Sequence, residues 1–457
     1  MKLVDTQDLK SCGLNGRAGS IPAPGTKLIL TVPSIICIFL SIKLNKFNYG
    51  VEVTKCLICG SEYSSFVDFG DMPIANAFAT RKQIKNEYTF PMKVGFCDNC
   101  NMVQLAEQPD KEKMFHENYA FFSSTSNYMK KHFMLFAHSV SELQDLNENS
   151  FVVEVGCNDG ILLENFIIDN IPCLGVEPSR NVAKVAKDKN IEVITEFFDQ
   201  CLAVKISETY QMADAILSAN VMCHIPYMHS IFSGVKTLLK NSGVFIFEDP
   251  YLGEIIEKTS FDQIYDEHVF LFSALSVNYL ANMHDLELVN VEPQITHGGS
   301  MRYTIAHKGL KTVSKNVINL IKKETKLGLD NRQSYLGFSD NINKIKNDLI
   351  NLLTKLKNDG KKVVAYGATS KSTTVTNYFG INSELVQCIF DTTPIKQNKF
   401  SPGAHIPVLP YNQFRESNPD YVLLFAWNHA AEIMKKEKDY MGNHRFWITY
   451  IPEVKIT

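Results

Sequence analysis

The stretch Phe151-Val-Val-Glu154-Val-Gly156-Cys157-Asn158-Asp159-Gly160 constrains this chain more than any other. A run of β-branched residues breaks at two glycines and resumes as Ile161-Leu-Leu-Glu-Asn-Phe166. That pattern predicts a buried parallel strand, a tight turn and the opening of a helix. Glycines at 156 and 160 leave the turn without Cβ atoms, so a ligand can lie against the backbone. The helix start aims free N–H groups and a positive dipole end at the same space. The next strand, Cys173-Leu-Gly-Val-Glu177, ends in an acid, and a carboxylate there can accept both hydroxyls of a ribose.

The glycines are spaced Gly-x-x-x-Gly with Glu154 just ahead of them, not the Gly-x-Gly-x-x-Gly of a dinucleotide loop. This form resembles motif I of class I S-adenosylmethionine (AdoMet) methyltransferases. NAD binding and a ligand-free structural turn are the competing readings. The stretches Ile191–Asp199, Ala213–Pro226 and Gly243–Pro250 are expected to hold the next three strands, the first two with the loops at their carboxyl ends. Ligands bind outside the carboxyl ends of such strands, which places Phe198 and Asp199 on the adenine side and brings Asn220 and His224 to the chemistry. The resemblance implies an AdoMet site made of Glu154, Gly156, Asn158, Gly160, Glu177, Phe198, Asp199 and Asn220.

At 457 residues the chain has room for about three domains. Its net charge of −3 gives no global field for nucleic acid or an anionic membrane. Of the 11 cysteines, four form the pairs Cys56-Leu-Ile-Cys59 and Cys97-Asp-Asn-Cys100. Two such knuckles complete a tetrahedral, all-thiolate zinc site with no open position, which makes it structural. A redox Cys-x-x-Cys is the alternative. Thiolate ligands also argue for a reducing compartment, the cytoplasm.

Residues 1–50 fit nothing downstream. Leu28–Ile42 is apolar and flanked by lysines, but it is short for a spanning helix, and no signal-peptide cleavage pattern follows. The expectation is a non-native, dispensable extension, with a membrane anchor as the alternative. Beyond the first α/β unit, residues 311–358 show aliphatics at helical spacing. A second unit begins with Val363-Val-Ala-Tyr366-Gly367-Ala-Thr-Ser370-Lys371-Ser372. Its glycine turn, lysine and hydroxyls at a helix start suit an anionic phosphate. Asp391 ends a further strand, and Tyr421–Ala426 is the last one expected, running into Trp427-Asn428-His429.

These pieces, in order, resemble the zinc-containing sugar C-methyltransferases of deoxysugar pathways over about residues 54–457. Tyr265-x-Glu267-His268 is similar to that family's Tyr-x-Glu-His active-site motif, and His297-Gly-Gly-Ser300 also looks familial. The resemblance implies an α/β protein: a zinc module (51–118), an AdoMet-dependent methyltransferase core (119–310), then a helical connector and second Rossmann-like domain (311–457). It implies a monomer whose partner is a nucleotide-sugar substrate, without nucleic acid or stable membrane association. Tyr265, Glu267, His268, Tyr119 and His224 carry over as catalytic candidates. Gly367, Ser370, Lys371, Ser372 and Asp391 are candidates for the substrate. His268 is the expected general base, since its unperturbed pKa of about 6.5 lies nearest working pH. Glu267 either holds that imidazole in one tautomer or touches substrate. The sequence at Ala368-Thr-Ser-Lys371-Ser372 departs from the family's Ala-Pro-Ala-Lys-Gly loop. An O- or N-methyltransferase, an RNA methyltransferase with a zinc module, and a non-catalytic scaffold are the other classes to separate.

Overall fold

Three sheets organise the chain in a computed structural model, which describes residues 54–109, 123–442 and 444–457. The N-terminal extension and Tyr119 lie outside the described residues. The first sheet is antiparallel, in the order β1-β2-β3-β4-β10: Thr54–Lys55, Glu62–Pro73, Thr89–Phe96, Val103–Leu105 and Phe270–Leu271. The two cysteine knuckles close alike. Cys56 N bonds Ser61 O and Cys97 N bonds Met102 O, both at 2.9 Å, with positive φ at Gly60 and Asn101.

The second sheet holds β5 (Val152–Val155), β6 (Cys173–Val176), β7 (Glu192–Ile194), β8 (Ala213–Ala219), β9 (Leu239–Pro250), β11 (Leu286–Gln294) and β12 (Ser300–His307). Its order is β11-β12-β9-β8-β5-β6-β7, parallel from β9 through β7, with β12 antiparallel between β9 and β11. The strand order reverses beside β5, and Val152-Val-Glu-Val155 is buried on both faces, as a central parallel strand requires. The crevice at such a reversal is where open α/β sheets hold ligands.

The third sheet runs β15-β16-β14-β13-β17-β18-β19: Lys399–Phe400, Pro407–Pro410, Ile389–Asp391, Val363–Tyr366, Tyr421–Leu424, Phe446–Thr449 and Lys455–Ile456. The sheet does not end at Tyr421 as expected. β18 extends it in parallel, and β15 and β19 close its two edges antiparallel. The expected connector is two helices, Lys315–Leu327 and Arg332–Asn358. The longer one buries Tyr335, Phe338, Ile342, Ile345, Leu349, Leu353 and Leu356 along one face. It is more than a connector, because this face packs on the first sheet as well: the Tyr335 ring stacks on Phe96 at 4.5 Å. A further strap joins the modules where Ala79 and Phe400 pair as a β-bridge and Glu87 Oε1 accepts from Gly403 N at 2.8 Å. Residues 53–457 therefore make one compact unit. Among the described residues no helix is long and apolar enough to cross a membrane.

Candidate active site

The glycine loop leaves β5 with φ +74° at Gly156 and +77° at Gly160. The two glycines serve different ends. Gly156 lines a cavity of about 880 Å³, and a Cβ there would meet Val221 at 2.4 Å. Gly160 does not line it; a Cβ would strike Ile191 at 2.3 Å, so this glycine permits helix–sheet packing. Glu177 braces the loop, since Oε2 accepts from Asn158 N (3.1 Å) and Oε1 from Ser179 N (2.8 Å). Burial raises its pKa, while each oxygen keeps a lone pair for a ribose hydroxyl. From above, Ser124 donates to Asp159 through N and Oγ (3.0 and 2.6 Å) and Ser123 N donates to Asn158 Oδ1 (3.1 Å). These bonds seat the start of the helix Asn127–Gln144 over the loop.

Three acceptors around the loop are buried with no hydrogen-bond partner among the described residues: Glu154 Oε2, Asp159 Oδ1 and Asn220 Oδ1. Burial, and then Glu177, push the Glu154 carboxyl well above its usual range. Asn220 lines the cavity in a left-handed conformation (φ +57°), its N–H held by Glu248 O at 2.7 Å. An orphan amide oxygen suits a ligand ammonium. Phe198 lines the cavity. Asp199 instead caps the helix Gln200–Thr209, accepting from Leu202 N at 2.7 Å.

The Tyr265–His268 loop stands beside this cavity. His268 is 6% exposed, and its Nδ1–H donates to Gln263 O at 2.6 Å, so the lone pair sits on Nε2. The rings of Tyr265 and His224 flank it, with centroids at 4.1 and 5.3 Å, and His224 faces the cavity. Burial, then His224, holds His268 well below the ordinary histidine range, and burial lowers His224 to about 4. Both are neutral near pH 7. The expected tautomer lock by Glu267 is replaced by the Gln263 carbonyl. Glu267 turns to the zinc module and accepts from Asn76 Nδ2 at 3.2 Å, while Asp266 accepts from Ala75 N at 2.9 Å. Cys223, His224 and His268 gather their ligand atoms within 4.8 Å. The two imidazoles lie only 22° from parallel, which keeps in-plane lone pairs from converging on one ion, so this cluster does not read as a metal site.

The substrate candidates of the second unit divide. Asp391 is occupied by Ala368 N and Thr393 N, both at 2.7 Å, Ser372 Oγ donates to Thr369 O at 2.6 Å, and Gly367 (φ +90°) lies where a Cβ would meet Ala426 at 2.9 Å. These three shape the loop. Ser370 and Lys371 open the helix Ser370–Phe379. The cavity wall on this side is Asn428, His429 and Glu432, to which the sequence reading gave no role. Their position after the carboxyl end of β17 was the available signal.

In the first module the sulfurs of Cys56 and Cys100 lie 3.5 Å apart and those of Cys59 and Cys97 3.4 Å. Zn–S bonds of about 2.3 Å put neighbouring sulfurs roughly 3.8 Å apart, whereas a disulfide needs about 2.05 Å. The hydrogen bond from Cys100 lowers Cys56 to about 5, while burial raises Cys97 to about 11. Four such thiols cannot all ionise without a cation among them, and the set fits structural zinc.

A β-sheet with this reversal, a loop braced by Glu177 and an orphan Asn220 oxygen together define a class I AdoMet-dependent methyltransferase, here carrying a zinc module. Family models match in three consecutive segments: a zinc binding domain (56–115), a methyltransferase domain (128–291) and a C-methyltransferase C-terminal domain (295–452). The C-methyltransferase NovU of Streptomyces niveus is 30% identical over 407 residues, 88% of this chain and 97% of that protein. The chain belongs to this C-methyltransferase family, and its cofactors are AdoMet and zinc. An uncharacterized methyltransferase of Alkaliphilus oremlandii is 23% identical over 32% of this chain and 66% of its own length. A solved AdoMet-dependent methyltransferase of Clostridium acetobutylicum aligns at 12% identity over 41% of this chain and 94% of its own, with a TM-score of 0.31.

Proposed function

We propose that the enzyme methylates C3, beside the ketone of a nucleotide-linked 4-keto-deoxysugar, by way of an enolate. The observation that carries this reading is the neutral His268, with Nδ1–H tied to Gln263 O and Nε2 left as the base. Carbon is a poor nucleophile unless a neighbouring carbonyl acidifies its C–H bond. Nε2 takes the proton, the C–H electron pair becomes the C=C bond, and charge moves to the carbonyl oxygen. Tyr265, tilted against the His268 ring, and His224, stacked on it, are the candidate donors to that oxygen, with Tyr119 carried over by the resemblance. Glu267 is the candidate for direct substrate contact. AdoMet supplies an electrophilic methyl group on a sulfonium. Enolate and sulfonium charges cancel as carbon is methylated, so a dry site favours the step.

The cavity of about 880 Å³ lies near the top of the range of about 300–1,000 Å³ for small-molecule sites, as suits a site for two ligands. The sugar and its nucleotide come from the Tyr265-x-Glu267-His268 and His297-Gly-Gly-Ser300 resemblance. The test is incubation with AdoMet and a panel of nucleotide 4-keto-sugars, with products read by mass spectrometry and exchange of the C3 proton with deuterated water read by NMR. A C-methyl product and C3 exchange are expected. An O- or N-methyl product, or methylation of a substrate lacking the ketone, overturns the reading.

A further inference from the structure

We propose that Lys371 is a catalytic residue whose ammonium holds the enolate oxygen formed when His268 removes the proton. The inference rests on the keto-sugar reading above and deepens it. Three contacts place the side chain. Thr374 Oγ1 donates to Ile264 O at 2.8 Å and Thr373 Oγ1 to Ala75 O at 3.0 Å, which pins the start of the helix Ser370–Phe379 behind the Tyr265–His268 loop. On the other flank Nζ lies 5.3 Å from the centre of the Trp427 ring. That ring packs on the His297-Gly298-Gly299 turn so closely that a Cβ at Gly298 would meet it at 2.5 Å. The helix start that carries Lys371 is thus pinned to the Tyr265–His268 loop on one side, and its Nζ lies beside the Trp427 ring that packs on the His297 turn on the other.

Lys371 is 9% exposed, and its Nζ, set over the Trp427 ring, is not sealed off from open space. An ammonium has three protons to give, and burying one without partners is costly. Burial lowers its pKa and the charge of Asp262 opposes this. Asp262 is fixed in turn by Trp427 Nε1 (2.7 Å) and Tyr450 OH (2.5 Å), which makes it the positioning residue. The Lys371 charge is felt at both His268 and His297. A diphosphate in this place would meet the buried acids Asp262, Asp266 and Glu267, offset by Lys371 beside the first and Lys396 beside the last. A single oxygen that becomes anionic only as the C–H bond breaks is what one buried ammonium can serve. In the balanced step the proton passes to His268 Nε2, the C–H pair forms C3=C4, and the carbonyl π pair becomes the oxyanion beside Lys371. The carbonyl reforms as C3 takes the methyl.

The probe is thymidine diphosphate-linked 4-keto-6-deoxyglucose, with C3 exchange in deuterated water followed by NMR. Lys371→Met should slow exchange and turnover by roughly 10²–10³-fold, while its dissociation constant for thymidine diphosphate, by calorimetry, stays within about threefold. Lys371→Ala leaves room for added ethylammonium, which should restore part of the exchange; a merely structural lysine would not be rescued. Exchange at the wild-type rate in both variants overturns the inference alone. Loss of thymidine diphosphate binding tenfold or more assigns Lys371 to the phosphates and also overturns it. Wild-type enzyme that exchanges no carbon-bound proton on any member of the nucleotide 4-keto-sugar panel overturns the keto-sugar reading itself.

Discussion

Removing the Glu177 carboxylate separates two things that this side chain does. It braces Asn158 N and Ser179 N, and it lines the cavity, where we propose that it accepts from a ribose. Glu177→Ala leaves two backbone donors of the loop without an acceptor, at about 1–3 kcal/mol for each that stays out of water. It also removes a charged hydrogen bond to the ligand, worth about 1.5–3 kcal/mol, which corresponds to a dissociation constant for AdoMet raised roughly 13- to 160-fold. The ligand-free protein should therefore melt earlier, and AdoMet should bind more weakly still than the lost brace alone predicts. Glu177→Gln keeps one acceptor oxygen, so it should recover part of the melting temperature and little of the affinity. Calorimetry with AdoMet and S-adenosylhomocysteine, beside thermal melts of all three proteins, reads both terms. Unchanged AdoMet affinity in a folded Glu177→Ala protein, or tight NAD binding by the wild type, refutes the reasoning.

His268→Asn should keep AdoMet binding, lower turnover by roughly 10²–10⁴-fold and abolish C3 exchange, as NMR would register. Because the base works deprotonated and burial lowers its pKa, kcat/KM should stay level as pH falls from 7.5 to 6.5 and drop only below; an acid limb centred above about 6.5 would contradict this. Elemental analysis should find about one zinc per chain, and chelation should lower the melting temperature as well as activity; a metal-free protein with its fold and rate intact counts against the zinc site. Asn76→Leu removes the amide donor to Glu267 and should slow turnover by about 3- to 15-fold, the scale of one hydrogen bond, at unchanged zinc content.

The parts legible in the sequence were those whose signal is local. The glycine turn, the Glu177 strand and the paired cysteines each announce a geometry within a few residues, and β5, β6 and both knuckles form as read. Gly160 misled because a glycine demanded by packing against Ile191 looks the same as one demanded by a ligand. The partner of His268 was hidden for another reason: a backbone carbonyl, Gln263 O, carries no side-chain signature, whereas the adjacent Glu267 does. Asn76 comes from the zinc module and nothing in its own neighbourhood marks it, whereas Asn428 and Glu432 carry only the weak signal of following the carboxyl end of β17. β18 is only Phe446–Thr449, too short to show a period against its charged surroundings.

The pairing of β4 with β10 also bears on how the protein is made. Residues Phe270–Leu271 complete a sheet begun by Thr54–Lys55, so the first sheet cannot be finished until the ribosome has passed the Tyr265–His268 loop. At about 5–20 residues per second, the interval between emergence of β4 and of its neighbour is on the order of ten seconds or more. Throughout that interval Val103–Leu105 presents an unpaired strand edge, the kind of surface that recruits other chains.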